Sequence, residues 1–534
     1  MESRKLKFVP TAAIIVAIFG IAILAFARHS LINPAHVAAA QSTIAAQAPV
    51  QTQPVAATAQ PTAEQLPPGT IKYEAKAVTT AQFLARQHLT ESKYMTVAEY
   101  VAAIGQANSG KTSFKRGDTV LIPGIESQPV VEKSRPYPKE EEIRAVYMTG
   151  TTAGSVKGLE LAKRWKEAGG NAVVFDIKDS DGSISIPFDH PLAKKTVHHS
   201  ISNLPKYVRY LHSLDLHVIA RQALFRDDNI AQNHSTLAVQ SRSMHQPWRE
   251  NGKLVWTDSS NKEVQDYNIA LAKYVASCGV DEIQFDYVRF PAEGNQADAE
   301  FAFQKDPNVH RDDVIASFLE RAYAQLHPTG VLMSLDVFGV MAWQRQVDLS
   351  HTGQDIVKMA KHADVISPMI YPSHFFGMDG YANPGDAPEH FIGTSMDRFV
   401  KVTAGSGVVL RPWLQAFHWR TKTYSPEYIL TQVSTSKKHG GDGFLFWNAA
   451  NDYSKPFTAM PVMMGNPKTY LKTPDDVPVT QTASATMPNG MQSAAAQGHA
   501  AHAAKVGKAA QSGVASHASE NGGAASSAAA AKHQ

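Results

Sequence analysis

The residues best suited to chemistry lie in Asp281-Glu-Ile-Gln-Phe-Asp-Tyr-Val-Arg-Phe-Pro291, where polar and apolar positions alternate as in a strand. Ile283, Phe285 and Tyr287 share one face, and Gln284 and Asp286 the other. Burying a carboxylate is costly unless it is paired or used, and Arg289 is the nearest cation along the chain. A second acid, Asp336, ends Leu332-Met-Ser-Leu-Asp336, and a third, Asp176, ends Ala172-Val-Val-Phe-Asp176. Two carboxyl groups converging on one pocket can cleave a glycosidic bond. One protonates the leaving oxygen while the other attacks or activates water. Arg289 beside Asp286 suits a charged nucleophile or stabiliser, whereas apolar Leu335, Val337 and Phe338 around Asp336 favour a protonated acid. Asp176 is the reserve partner.

These acids need a frame that brings strand ends together. Eight apolar strand candidates punctuate the chain: 145–148, 172–176, 218–221, 282–286, 332–336, 365–370, 410–414 and 443–447. Helical patterns fall between them, at 158–168, 203–214, 261–277, 312–326 and 426–438. Regular alternation of this kind predicts an α/β fold, a (β/α)8 TIM barrel over 136–467. An open doubly wound sheet is the alternative, but Thr149-Gly-Thr-Thr-Ala-Gly154 lacks the glycine pattern of its phosphate turn. Neighbouring strand ends stand about 5 Å apart, so Asp286 and Asp336 can reach either carboxylate spacing that glycoside hydrolysis uses. Lys178, Arg221, Arg289, Tyr371, Trp413, Gln415, Trp447 and Asn448 fall at or after strand ends and are the predicted substrate-binding set.

The flanks read differently. Arg4, Lys5 and Lys7 precede an apolar run from Val9 to Ala27, close to the roughly 20 residues that span a bilayer. Residues 1–30 therefore read as an uncleaved signal anchor in preference to a cleaved signal peptide. Either reading exports the rest of the chain. The expected place is a bacterial inner membrane, single-pass, with periplasmic or extracellular domains; secretion is the alternative. Residues 31–69 and 473–534 are low in complexity and are expected to be disordered. His499, His502, His517 and His533 lack metal-site spacing, and His198-His199 reads as a solvated loop pair. No cofactor and no metal is expected, and a metal-dependent deacetylase is disfavoured. Among 534 residues the only cysteine is Cys278, read as a small core residue, so no disulfide framework can form. A formal charge of +3 gives no reason to expect nucleic acid.

Residues 70–126 predict a small α+β domain of order β-α-α-β, closing on Lys115-Arg-Gly-Asp-Thr-Val-Leu-Ile-Pro123. That order and closing motif resemble a LysM module, which implies binding of N-acetylglucosamine polymers such as peptidoglycan. The usual Gly-Asp-Thr loop after the first strand is replaced by Ala75-Lys-Ala-Val-Thr-Thr80. The larger segment resembles the glycoside hydrolase barrel family of bacterial envelope proteins, related to α-amylase-like barrels. The resemblance is carried by Val173–Asp179 with Gly182, Ile283–Pro291, Ser334–Gly339 and Ile366–Pro372. It implies a TIM barrel acting on a polysaccharide, with Asp286 and Asp336 as its catalytic acids. The competing reading is a non-catalytic barrel that binds envelope glycan.

Overall fold

The computed structural model of the chain describes residues 66–193, 199–474 and 476. The expected anchor (1–30), most of the linker, His198, and most of the tail, with its four histidines, lie outside the described residues. Among the described residues no helix is long and apolar enough to cross a membrane. The chain divides into two compact units, residues 1–130 and 131–534.

In the first unit, strand Ile71–Glu74 pairs antiparallel with Thr119–Ile122, and helices Ala81–His88 and Val97–Ala107 lie between them in sequence. Each helix starts on a threonine whose hydroxyl accepts a backbone N–H: Thr80 from Phe83 at 3.2 Å and Thr96 from Glu99 at 3.1 Å. Leu84, Tyr100, Ile104, Val120 and Ile122 form the core. The Gly117–Asp118 turn is tied to Ala75: Gly117 N donates to Ala75 O and Ala75 N to Asp118 O. This is the predicted β-α-α-β order.

The second unit holds eight parallel strand positions closed into a barrel. In order they are Arg144–Met148, Ala172–Lys178, His217–Ala223, Glu282–Asp286, Leu332–Phe338, Val365–Met369, the split strand Val409–Leu410 with Trp413–Gln415, and Phe444–Trp447. Phe444 pairs with Arg144, which closes the ring. The (β/α)8 barrel is therefore observed. The five predicted helices are present as Val156–Glu167, Leu204–Ser213, Lys262–Ser277, Arg311–Leu326 and Pro426–Lys438. Side-chain caps start several of them, for example Asn203 Oδ1 accepting Lys206 N at 3.0 Å. The shell also includes Gln346–Thr352 and Ile356–Met359 after strand five, Pro388–Val402 after strand six and Ser454–Gly465 after strand eight; Pro461 interrupts the periodic pattern of the last.

Two departures from the predicted strands have local causes. The seventh strand was expected as one run, 410–414, but Arg411-Pro412 divides it, since proline has no N–H for the ladder. Packing also extends past Pro467, for Lys472 Nζ reaches Asp442 at 2.6 Å and its N–H donates to Glu142 at 2.9 Å.

The lower end of the barrel interior carries a charged layer that alternation alone did not reveal. Glu282 accepts from Arg411 at 2.9 and 3.0 Å and lies 3.1 Å from His217 Nε2. Tyr137 packs on the His217 ring at 4.2 Å. Arg411 and Glu282 are fully buried, so each compensates the other, and the Glu282 carboxyl is held down at about 2 by Arg411 and His217 against the effect of burial.

Candidate active site

The C-terminal ends of strands two to five bring the three predicted acids together around one cation. Arg221, from strand three, donates through Nη1 to Asp176 at 2.5 Å and through Nη2 to Asp286. Its Nε lies 3.7 Å from Asp336 Oδ2. Period-two alternation produces this convergence, because Asp176, Arg221, Asp286 and Asp336 all sit at lumen-facing positions of adjacent strands. Tyr147 on strand one donates its hydroxyl to Asp176, and Trp413 on strand seven donates Nε1–H to Asp336 Oδ1 at 2.6 Å. Asp286 accepts Tyr287 N at 2.5 Å. Tyr287 adopts φ +52°, a left-handed conformation that a bulky residue rarely takes and that turns the chain sharply at the rim.

One guanidinium thus serves three almost fully buried carboxyl groups. Asp176 and Asp336 are each 1% exposed, and Asp286 is the most open at 7%. Burial pushes the Asp176 carboxyl up to about 7, only partly opposed by Arg221 and Tyr147. Asp336 is raised well above the usual carboxylate range, by burial first and by the Asp286 charge second. Its Oδ2 has no hydrogen-bond partner, as fits an oxygen free to carry a proton. Arg221 is itself held up despite its burial, since Asp176, Asp286, Tyr147 and Asp336 all favour its charge. The asymmetry follows from stoichiometry: the arginine sees several acids, whereas each acid shares one arginine.

Aromatic rings wall the pocket. Trp447 stacks on Tyr147 at 4.0 Å and meets Trp413 edge-on at 5.6 Å. Arg221 lies 5.2 Å from the Trp447 ring centre and 5.7 Å from that of Tyr147. Tyr371, raised by burial and by the charges of Asp336 and Asp286, borders the acids at the end of strand six.

Four predicted residues take other places. Lys178 is fully buried and turned away from the acids: it pairs with Asp227 at 2.8 Å and donates to Ala223 O, Leu224 O and Asn268 Oδ1. The ladder slips between Asp176 and Lys178, and that irregularity breaks the alternation that had placed both in the lumen. Arg289 makes no ion pair with Asp286. Beyond the Tyr287 turn it lies over Trp256 at 4.8 Å and Phe338 at 4.4 Å and donates to Phe290 O. Arg221 holds the role expected of Arg289. Gln415 ties loops together, accepting from Ser373 N and donating to Phe417 O and Trp419 O. Asn448 bridges Ala416 O and Asp452 O. Tyr147 was missed, because a tyrosine in a four-residue apolar run looks like core.

The carboxyl groups gather at the C-terminal rim of a closed parallel barrel, the end at which barrels of this fold keep their chemistry. The chain belongs to the family described as "Putative glycosyl hydrolase domain", whose model matches residues 145–453. Among solved structures, a hypothetical protein from Ruminiclostridium thermocellum is similar at 34% identity, covering 36% of this chain and 97% of that one, with a TM-score of 0.32. The PgaB (BpsB) glycoside hydrolase domain from Bordetella bronchiseptica is similar at 14% identity, over 62% and 100% of the two chains, with a TM-score of 0.47. The spore cortex-lytic enzyme SleL from Bacillus megaterium is similar at 13% identity, over 76% and 87%, with a TM-score of 0.37. No curated protein matches the chain.

Proposed function

We propose that the protein is an envelope glycoside hydrolase that cleaves a cell-envelope or exported polysaccharide with Asp286 and Asp336. The observation that supports it is the unequal setting of two acids beside one arginine. Asp336 is buried, raised and unsatisfied at one oxygen, whereas Asp286 is ion-paired and the most open of the three. In this reading Asp336 gives its proton to the leaving glycosidic oxygen. Asp286 attacks the anomeric carbon or stabilises the positive charge that develops there. Arg221, itself paired with Asp176, holds Asp286 in place, and Trp413 holds Asp336. Trp447, Tyr371 and Trp413 would border the sugar ring. Residues 1–30 would anchor the chain in a bacterial inner membrane and place both folded units outside the cytoplasm, with the LysM-like unit holding peptidoglycan glycan.

The second reading is a glycan-binding barrel without turnover. It is favoured by the 1% exposure of Asp336 and Asp176, which suits a purely structural ion network. Incubating the full-length protein with purified envelope glycans separates the two. Saturable binding without new reducing ends supports the binder. New reducing ends that vanish with Asp286→Asn support the hydrolase, and new reducing ends at the wild-type rate from that variant remove Asp286 from the chemistry.

A further inference from the structure

A path of rings leads outward from the acids on the side of strands six and seven. Tyr371, beside Asp336 and Asp286, lies 5.7 Å from Phe417 and 5.2 Å from His374. His374 lies 4.9 Å from Trp419. Arg420 follows, its guanidinium 4.4 Å from the Trp419 ring centre and 4.9 Å from that of Phe376. Phe376 ends the path at the surface, 62% exposed.

The two loops that carry these rings are fastened to each other. Gln415 accepts Ser373 N at 3.3 Å from one loop and donates to Phe417 O at 3.0 Å and Trp419 O at 3.3 Å in the other. Gln432 clamps the Gln415 backbone with two bonds of 2.9 Å. Arg420 itself stands at φ +48°, and its carbonyl presses so closely on Gly385 that a Cβ there would lie 2.1 Å away. The backbone at Arg420 is thus fixed, and its guanidinium lies within 5 Å of the centres of two rings. Among the described residues no carboxylate forms an ion pair with it. The nearby Asp386 is engaged by Lys422 N at 2.6 Å and Thr421 Oγ1 at 3.2 Å.

We infer that this shelf is a saccharide subsite that reads a carboxylated sugar, with Trp419 and Phe376 bordering the pyranose chain and Arg420 binding its carboxylate. The inference rests on the hydrolase reading only in taking the glycan to run from the shelf to the acids. Aromatic faces suit the apolar face of a pyranose, and a planar guanidinium grips a carboxylate through two parallel N–H bonds. An arginine already fixed by stacking gives up little freedom on binding.

The test uses full-length Asp286→Asn protein, to prevent turnover, and the same chain with Arg420→Met, Trp419→Ala or both. Probes are hexasaccharides of hyaluronan and of polygalacturonate, each beside its carbodiimide-reduced, uncharged form, with binding measured by calorimetry and folding by circular dichroism. The expected result is binding of at least one uronate probe, tenfold or more weaker for its reduced form. Arg420→Met should lose that preference, and Trp419→Ala should weaken both forms. Equal binding of charged and reduced probes, an unchanged preference in Arg420→Met, or no binding of any probe by the parent would overturn the subsite. If Arg420→Met loses the preference while no glycan is ever cleaved by wild type, the subsite stands and the hydrolase reading falls. Cleavage of envelope glycan with no effect of Arg420→Met gives the reverse.

Discussion

Among the described residues Arg221 is the only cation paired with Asp176, Asp286 and Asp336, and replacing it by Met removes that charge while keeping much of the side-chain volume. Breaking a buried ion pair on one side costs about 3–5 kcal/mol. The cost here depends on pH, because the stranded acids can take up protons. The Asp176 carboxyl already stands at about 7 with Arg221 in place, against an ordinary value of 3.8, and it rises further without it. A carboxyl raised by folding binds protons more tightly in the folded state, so its contribution to stability declines as pH climbs from about 4 through 7. In wild type that decline is capped at roughly 4 kcal/mol, from 1.36 kcal/mol per unit. The variant extends it to higher pH. Arg221→Met should therefore cost about 3–5 kcal/mol at pH 8. At pH 5, where Asp176 is neutral in both proteins, its share of the cost disappears and the loss of the Asp286 pairing remains, so the total should fall below the value at pH 8. Guanidinium unfolding of wild type and variant at both pH values reads the difference. An equal loss at pH 5 and pH 8 would refute the claim that Arg221 compensates partly protonated acids.

Other outcomes follow from the same geometry. Asp336→Asn should leave thermal stability within about 1 kcal/mol, since the amide resembles the neutral acid, yet lower glycan turnover by about 10²-fold or more; full activity would show that Asp336 donates no proton. Trp413→Phe removes a bond that lowers the Asp336 carboxyl, so that group rises and the alkaline limb of the pH–rate profile should move upward. An unmoved limb, with Trp413→Phe still folded, would contradict the link. Lys178→Met should destabilise by about 3–5 kcal/mol by stranding Asp227, without altering the turnover of whatever protein remains folded. A fall in turnover per folded molecule would return Lys178 to the site.

Much of the barrel was legible because its strands are short apolar runs separated by periodic helices, and Asp286 and Asp336 were legible because alternation puts them on the lumen side. Alternation fails where the backbone departs from it. The slip after Asp176 turns Lys178 toward Asp227, and the left-handed turn at Tyr287 carries Arg289 away from Asp286. Pairings across the barrel carry no local trace either: Arg221 meets an acid 65 residues on, and Arg411 meets Glu282 across 129 residues. Arg221 was legible as a strand-end residue of the site, but its pairing with the acids shows only once the barrel is closed and one asks which cation faces them. Tyr147 reads as packing because its ring does pack, and only the hydroxyl at its end reveals a second role, whereas Trp413, legible as a strand-end aromatic of the binding set, also donates to Asp336.

The most direct test of hydrolysis at Asp286 is the rate of reducing-end release from an envelope glycan that wild-type full-length protein degrades, measured beside Asp286→Asn at matched concentration and verified folding. The account predicts a fall of at least about 10²-fold. A variant that releases reducing ends at the wild-type rate would contradict it.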